Sequence, residues 1–208
     1  MIECHWEVAP ITEWRYPAAA VAELARRLAS CGALWVIGGS AGLAMRGANL
    51  DKPPRDLDIY ADEEDVPLIH ARLADLALDG PARDETGRYR SILSHYAMGE
   101  TVAELVGDFR VRSGDSAYRT EVRRLLHPLG ESFQVRDAQV RLVPLGHELI
   151  FNVLRDRPDR CRLVGAMIRS DPARHLPALE RLLQENPLSP ETVLKVRQYV
   201  REPAEGEV

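Results

Sequence analysis

The stretch WVIGGSAGLAMRGANLDKPPRDLDIYAD, Trp35 to Asp62, constrains the fold more than any other part of the chain. The apolar run Ala33 to Ile37 reads as a short buried strand. Gly38-Gly39-Ser40 ends it, and SAGLAMRG reads as a short helix that stops at Gly47. Pro53-Pro54 forbids helix in the loop ANLDKPP. RDLDIYA then reads as a second strand, but with two acids set among its apolar residues. A segment that served only a core would carry valine where Asp56 or Asp58 stands.

The rest of the chain supplies layers for that unit. Pro17 to Gly32 has apolar residues at helical spacing, with Gly32 as its stop. DEEDVPLIHARLADLAL reads as a helix, acid-rich at its start as the macrodipole favours. After a loop from Asp79 to Gly87, RYRSILSHYAM and TVAELVG flank Gly99-Glu100 as a hairpin. FRVRSG continues the strand-rich section, as does a second hairpin around Asp137-Ala138, with a short helix in EVRRLLHPLG between them. From Leu145 the pattern is helical, with segments near Leu145–Asp156, Asp159–Arg169, Pro172–Glu185 and Pro190–Val200. Ser189-Pro190 offers an N-cap followed by proline at the first helical position, and the tail REPAEGEV reads as frayed. The expected architecture is α+β: a mixed sheet flanked by helices over 1–144, and a helical bundle over 145–208 packed on it.

Composition narrows the function. At 208 residues and 45% hydrophobic content the chain can build one sizeable core. No apolar run reaches the roughly 20 residues that span a bilayer, and the start MIECHWEVAPITEW lacks a secretory h-region, so a cytoplasmic protein is expected. Cys4, Cys31 and Cys161 are odd in number and far apart, against a disulfide framework or a zinc knuckle. Cys4-His5 is at most half a metal site. A net charge of −5 argues against non-specific binding to DNA, and disfavours RNA except through a local arginine cluster.

The chemistry lies in the opening stretch. Gly38-Gly39 before a helix can expose backbone N–H groups to an anion, with Ser40 adding a hydroxyl; the same pair also serves as a plain tight turn. It is neither a P-loop nor a G-x-G-x-x-G fingerprint. Asp56 and Asp58 project to one face of their strand, while Leu57 and Ile59 point to the other. Adjacent carboxylates repel unless neutralised, and a hard divalent cation such as Mg²⁺ does so; a hydrated strand end is the alternative. His70 reads as a surface or core-edge histidine, and His95 as a residue that could border an acceptor site. His147-Glu148 opens a helix without forming HExxH. Ser91 and Ser94 lack the glycines of a nucleophile elbow.

GGSAGLAMRG followed by RDLDIYAD resembles the signature of the nucleotidyltransferase superfamily related to DNA polymerase β, a small-residue turn before a short helix and then [DE]h[DE]h on the next strand. The form is most similar to small bacterial nucleotidyltransferases of the antibiotic-resistance and toxin types. The resemblance implies transfer of a nucleoside monophosphate from a nucleoside triphosphate, ATP being the expected one, to an acceptor hydroxyl on a small molecule, a protein or an RNA, with pyrophosphate released. It implies Mg²⁺ or Mn²⁺ on Asp56, Asp58 and a third carboxylate on a later strand, with Glu104 in TVAELVGDF the candidate and Asp108 the runner-up. It implies phosphate contacts from Gly38, Gly39 and Ser40; Arg46 and Arg55 either stabilise the pyrophosphate or are surface arginines making ion pairs. VPLGHELIFNVLRDRPDR looks like the segment that follows the core in such enzymes, but Asn152 stands where a lysine is expected and Pro158-Asp159 where Lys-Asp is expected. Arg155 or Arg157 would then supply the charge. The alternative is a nucleotidyltransferase fold without turnover that acts as a binding or regulatory protein, such as a toxin–antitoxin partner.

Overall fold

The computed structural model describes residues 16–201, so Cys4-His5 and the residues after Arg201 lie outside it. A packing helix α1 (Ala18–Leu28) leads into β1 (Trp35–Ile37), α2 (Gly39–Met45) and β2 (Asp56–Ala61). Then come α3 (Val66–Leu73), the strands β3 (Ala82–Thr86), β4 (Tyr89–Met98), β5 (Thr101–Ser113) and β6 (Ser116–Arg119), and a π-helical turn (Val122–Leu126) running into α4 (His127–Leu129). A hairpin of β7 (Glu131–Val135) and β8 (Ala138–Leu142) precedes four helices, α5 (Leu145–Leu154), α6 (Pro158–Ser170), α7 (Pro172–Glu185) and α8 (Pro190–Arg201). Thr192 N–H donates to Ser189 Oγ at 3.2 Å, so Ser189 caps α8 as its position before Pro190 requires.

The strands form one mixed sheet in the order β3-β4-β5-β2-β1-β8-β7, with β6 paired to the far end of β5. Strand alternation sorts side chains onto two cores. Leu57, Ile59 and Leu105 face α1 and α3, where they meet Val21, Leu24 and Ile69. Val36, Tyr60 and Val106 face the opposite way and share a core with Leu149, Val164 and Leu182 of the C-terminal helices. Among the described residues no helix is long and apolar enough to cross a membrane.

Three local expectations change. The loop expected from Asp79 to Gly87 contains β3, an edge strand whose residues Ala82–Thr86 are all exposed. It buries no apolar side chain, so it carries no alternation to read; its ladder with β4 forms it. FRVRSG is not a separate strand but the end of the thirteen-residue β5. The helix expected from DEEDVPLIHARL starts only at Val66, with Asp62–Asp65 forming a turn before it.

Candidate active site

Register builds the site. β2 and β5 run parallel with Asp58 opposite Glu104 and Tyr60 opposite Val106. β4 and β5 run antiparallel with His95 opposite Glu104 and Leu93 opposite Val106. A polar row His95–Glu104–Asp58 therefore crosses three strands, with Asp56 one step along β2, beside an apolar row Leu93–Val106–Tyr60. Asp56, Asp58 and Glu104 all line one cavity of about 430 Å³ on the α5 side of the sheet. Its other walls carry Glu148, Asn152 and the arginines 155, 157 and 160, from α5 and the start of α6.

The glycine pair closes the turn from β1 into α2 against this acid floor. Gly38 N–H donates to Asp58 O at 3.1 Å, and Gly39 N–H donates to Glu148 Oε1 at 2.7 Å. Gly39 has φ +61°, and a Cβ there would lie 1.8 Å from Asp58 Oδ2. Glycine is required by close approach as well as by backbone conformation. Both N–H groups that the sequence offered to phosphate are thus engaged inside the protein. Ser40 Oγ, which accepts from Arg160 Nη2 at 3.2 Å, is the polar side chain of the turn that lines the cavity.

The electrostatics follow from packing carboxylates together. Loss of water, then the negative charges of Asp56, Glu148 and Glu104, push the Asp58 carboxyl up to about 7. Burial raises Glu104 as well, with Asp56 adding to it. Burial also raises Glu148, against the pull of the Gly39 N–H and of nearby arginines. Opposite them, Arg160 Nη1 is buried with no hydrogen-bond partner among the described residues. Such an atom is costly unless something fills the site. The sheet side of the cavity carries Asp56, Asp58 and Glu104, and the helical side carries Glu148 among the arginines.

Other residues singled out in the sequence fall elsewhere. Arg46 is not at the cavity: it donates to Glu131 Oε2 at 3.0 Å, to Gly42 O at 3.1 Å and to Val143 O. Arg55 is exposed and does not line the cavity. Asp108 is buried with Arg110 and Arg119, each at 2.8 Å, and does not line the cavity, whereas Glu104 does. Asn152 donates from Nδ2 to Glu148 O at 2.8 Å while facing the cavity. Asp159 is paired with Arg157 at 2.9 Å. His147 lies in an aromatic cluster, accepting or donating at Nδ1 with Tyr118 Oη at 2.9 Å, and burial lowers it to about 3.

Sequence reasoning missed Glu148 and Arg160. Glu148 was visible as a carboxylate in the largely apolar run LGHELIFNVL, a helix buried along its whole length, where a charge needs a reason. Arg160 belongs to the arginine-rich run RDRPDRCR, and nothing in that run says which guanidinium turns inward.

Superfamily resemblance implies a divalent cation, and the donor set fits one in kind. Asp56, Asp58 and Glu104 offer hard oxygens side by side, and no described cation pairs with the two aspartates. Among the described residues, however, no three histidine, cysteine, aspartate or glutamate side chains are already gathered as a metal shell.

No protein-family model and no curated protein sequence matches the chain. Solved structures do resemble it. A Thermotoga maritima protein provisionally described as a nucleotidyltransferase matches at a TM-score of 0.58 and 18% identity, over 72% of this chain and 91% of that one. The transferase ANT(2'')-Ia in complex with adenylyl-2''-tobramycin matches at 0.47 and 11%, over 79% and 98%. An antigenic nucleotidyltransferase-like protein of Paracoccidioides brasiliensis matches at 0.43 and 12%, over 89% and 93%. The first likeness establishes that the chain has a nucleotidyltransferase-like fold.

Proposed function

We propose that the chain transfers a nucleoside monophosphate from a nucleoside triphosphate, with ATP as the expected donor, to an acceptor hydroxyl. The observation that carries this reading is the cavity itself: Asp56, Asp58 and Glu104 on its floor, and Arg155, Arg157 and Arg160 across from them. Mg²⁺ or Mn²⁺ held by the three carboxylates would neutralise charge on the triphosphate and on the leaving pyrophosphate. The arginine wall of Arg155, Arg157 and Arg160 receives the phosphate oxygens. Ser40 Oγ, beside Arg160, meets the same oxygens from the glycine turn. The acceptor oxygen attacks the α-phosphorus, and its proton passes to a Glu104 oxygen, the carboxylate at the open end of the acid row. The α-phosphorus bond to the bridging oxygen breaks and pyrophosphate leaves, so the protein supplies position and charge rather than covalent chemistry.

Calorimetric titration of ATP, GTP, CTP and UTP with Mg²⁺ into wild type and an Asp56→Ala/Asp58→Ala variant tests the reading. Metal-dependent binding lost in the variant, together with pyrophosphate release by wild type, supports it. Binding without any release would identify instead the non-catalytic nucleotide-binding alternative. Absence of binding by folded wild type would sink both.

Arg160→Ala is expected to weaken triphosphate binding by about 10–100-fold, the loss of one charge-assisted contact of roughly 1.5–3 kcal/mol. Arg46→Ala should instead lower the melting temperature with little change in affinity, because its bonds run to Glu131 and two carbonyls rather than into the cavity. Equal affinity losses in the two variants would show that the arginine wall has been misplaced.

A further inference from the structure

We infer that His95, locked by Asp79, is a positioning residue for Glu104, the carboxylate on the acceptor side of the site; this rests on the function proposed above. His95 follows Leu93, which lines the cavity, by two residues on β4 and stands opposite Glu104 in the ladder. Its ring is fixed from behind. Asp79 Oδ1 accepts the His95 backbone N–H at 2.7 Å, and Asp79 Oδ2 lies 2.6 Å from Nδ1.

These bonds hold the Asp79 carboxyl below its ordinary value, so it is a carboxylate. A carboxylate only accepts, so Nδ1 carries a hydrogen toward Asp79, and Nε2 is the ring nitrogen that faces Glu104 and engages it once a proton lies between them. Nε2 lies 3.8 Å from Glu104 Oε1.

The backbone explains why Asp79 is there. Leu78 N–H donates to His95 O at 2.9 Å, and Ala77 bridges Tyr96, so residues 77–78 run beside β4 as a short extra rung. At the next position the Asp79 side chain replaces the main chain and takes the His95 N–H. A chance surface ion pair needs no such fixed geometry and orders little. Here one side chain holds both the main chain and the ring of His95.

Glu104 stands between opposing influences. Asp58 lies opposite it on β2, and the His95 ring lies opposite it on β4. That asymmetry sets which way the carboxylate leans. Side-chain exposures of 30% for His95 and 32% for Glu104 leave this end of the polar row open to an incoming acceptor. The arrangement is that of a carboxylate–histidine pair orienting a third group, which outer-shell residues do for the ligands they support.

Pyrophosphate release from ATP and Mg²⁺, with water as the only acceptor, tests the assignment without knowing the natural one. His95→Ala should slow release by about 10–100-fold with less than about a threefold change in ATP affinity, by the distinction between lost transition-state and lost ground-state contacts. His95→Gln should recover part of the rate, since its amide nitrogen reaches toward Glu104, and Asp79→Asn should fall between. Wild-type rates in His95→Ala would overturn the inference, as would a matched fall of rate and affinity. Should wild type release no pyrophosphate from any of the four triphosphates, the proposed function fails separately. The imidazole ¹⁵N resonances then decide this inference. An Nδ1–H tautomer lost in Asp79→Ala, with an Nε2 signal moved by Glu104→Gln, upholds it; an Nε2 signal indifferent to Glu104→Gln overturns it.

Discussion

Asp58→Asn is expected to raise the melting temperature of the metal-free protein by roughly 5–10 °C while cutting pyrophosphate release by about 10²–10³-fold or more. The stability gain comes from removing a charge that the fold holds at a cost. Asp58 lies on the cavity floor with Asp56, Glu104 and Glu148 around it, and no described cation pairs with it. A carboxyl moved from 3.8 to about 7 has its ionised form destabilised by about 4 kcal/mol. Water reaching the open cavity reduces this to roughly 2–3 kcal/mol. The folded-state value is raised, so the stabilising contribution of the protonated form is complete below the unfolded value of 3.8 and disappears as pH rises through about 7. Asparagine does not titrate there. The gap in melting temperature between variant and wild type should therefore be small at pH 4 and widen to its full size by pH 8. Added Mg²⁺ should narrow it by stabilising wild type alone. Thermal denaturation at several pH values, with and without Mg²⁺, checks this; a variant less stable than wild type at pH 8 would show that Asp58 is not repelled by its neighbours.

Gly39→Ala is expected to destabilise the protein by about 3 kcal/mol or more and to abolish metal-dependent nucleotide binding in whatever fraction still folds. A Cβ at this position would lie 1.8 Å from Asp58 Oδ2 and 2.8 Å from Asp58 Cγ, on a backbone already at φ +61°. Either the turn moves off β2 or the carboxylate is pushed aside, and both break the acid row. Gly47→Ala separates the two causes. Its φ is +82° but nothing lies within 4 Å of the added carbon, so it should cost only about 1 kcal/mol from backbone strain. Chemical denaturation of the two variants measures the difference, and equal losses would mean that contact with Asp58 contributes nothing.

Much of the site was legible along the chain. Asp56 and Asp58 share a face because strand periodicity is two, which holds wherever the strand is placed. The glycine pair before a helix marked a tight strand-to-helix turn, and the hairpin at Gly99-Glu100 put Glu104 on the strand after it. Other parts were not legible. The exposed strand β3 buries nothing and so leaves no apolar pattern. Arg46 and Arg160 are the same residue type, yet Arg46, expected at the phosphates, is bound to Glu131, and Arg160, not expected there, lines the cavity. Glu148 lies 109 residues from the glycine whose N–H it takes.

The sequence by itself determined the local elements, the face on which each acid points, and the glycines that allow the turn, because these depend on near-neighbour sterics and on the period of burial. Only the tertiary structure decided which strands are neighbours. The parallel register of β2 with β5 sets Asp58 against Glu104, and the antiparallel register of β4 with β5 sets His95 on its other side. It also decided that both glycine N–H groups are satisfied internally, and that Arg160 at the start of α6 lines the cavity beside Ser40. Those outcomes depend on packing between segments far apart in the chain, and no local pattern encodes which of several equivalent charges meets which.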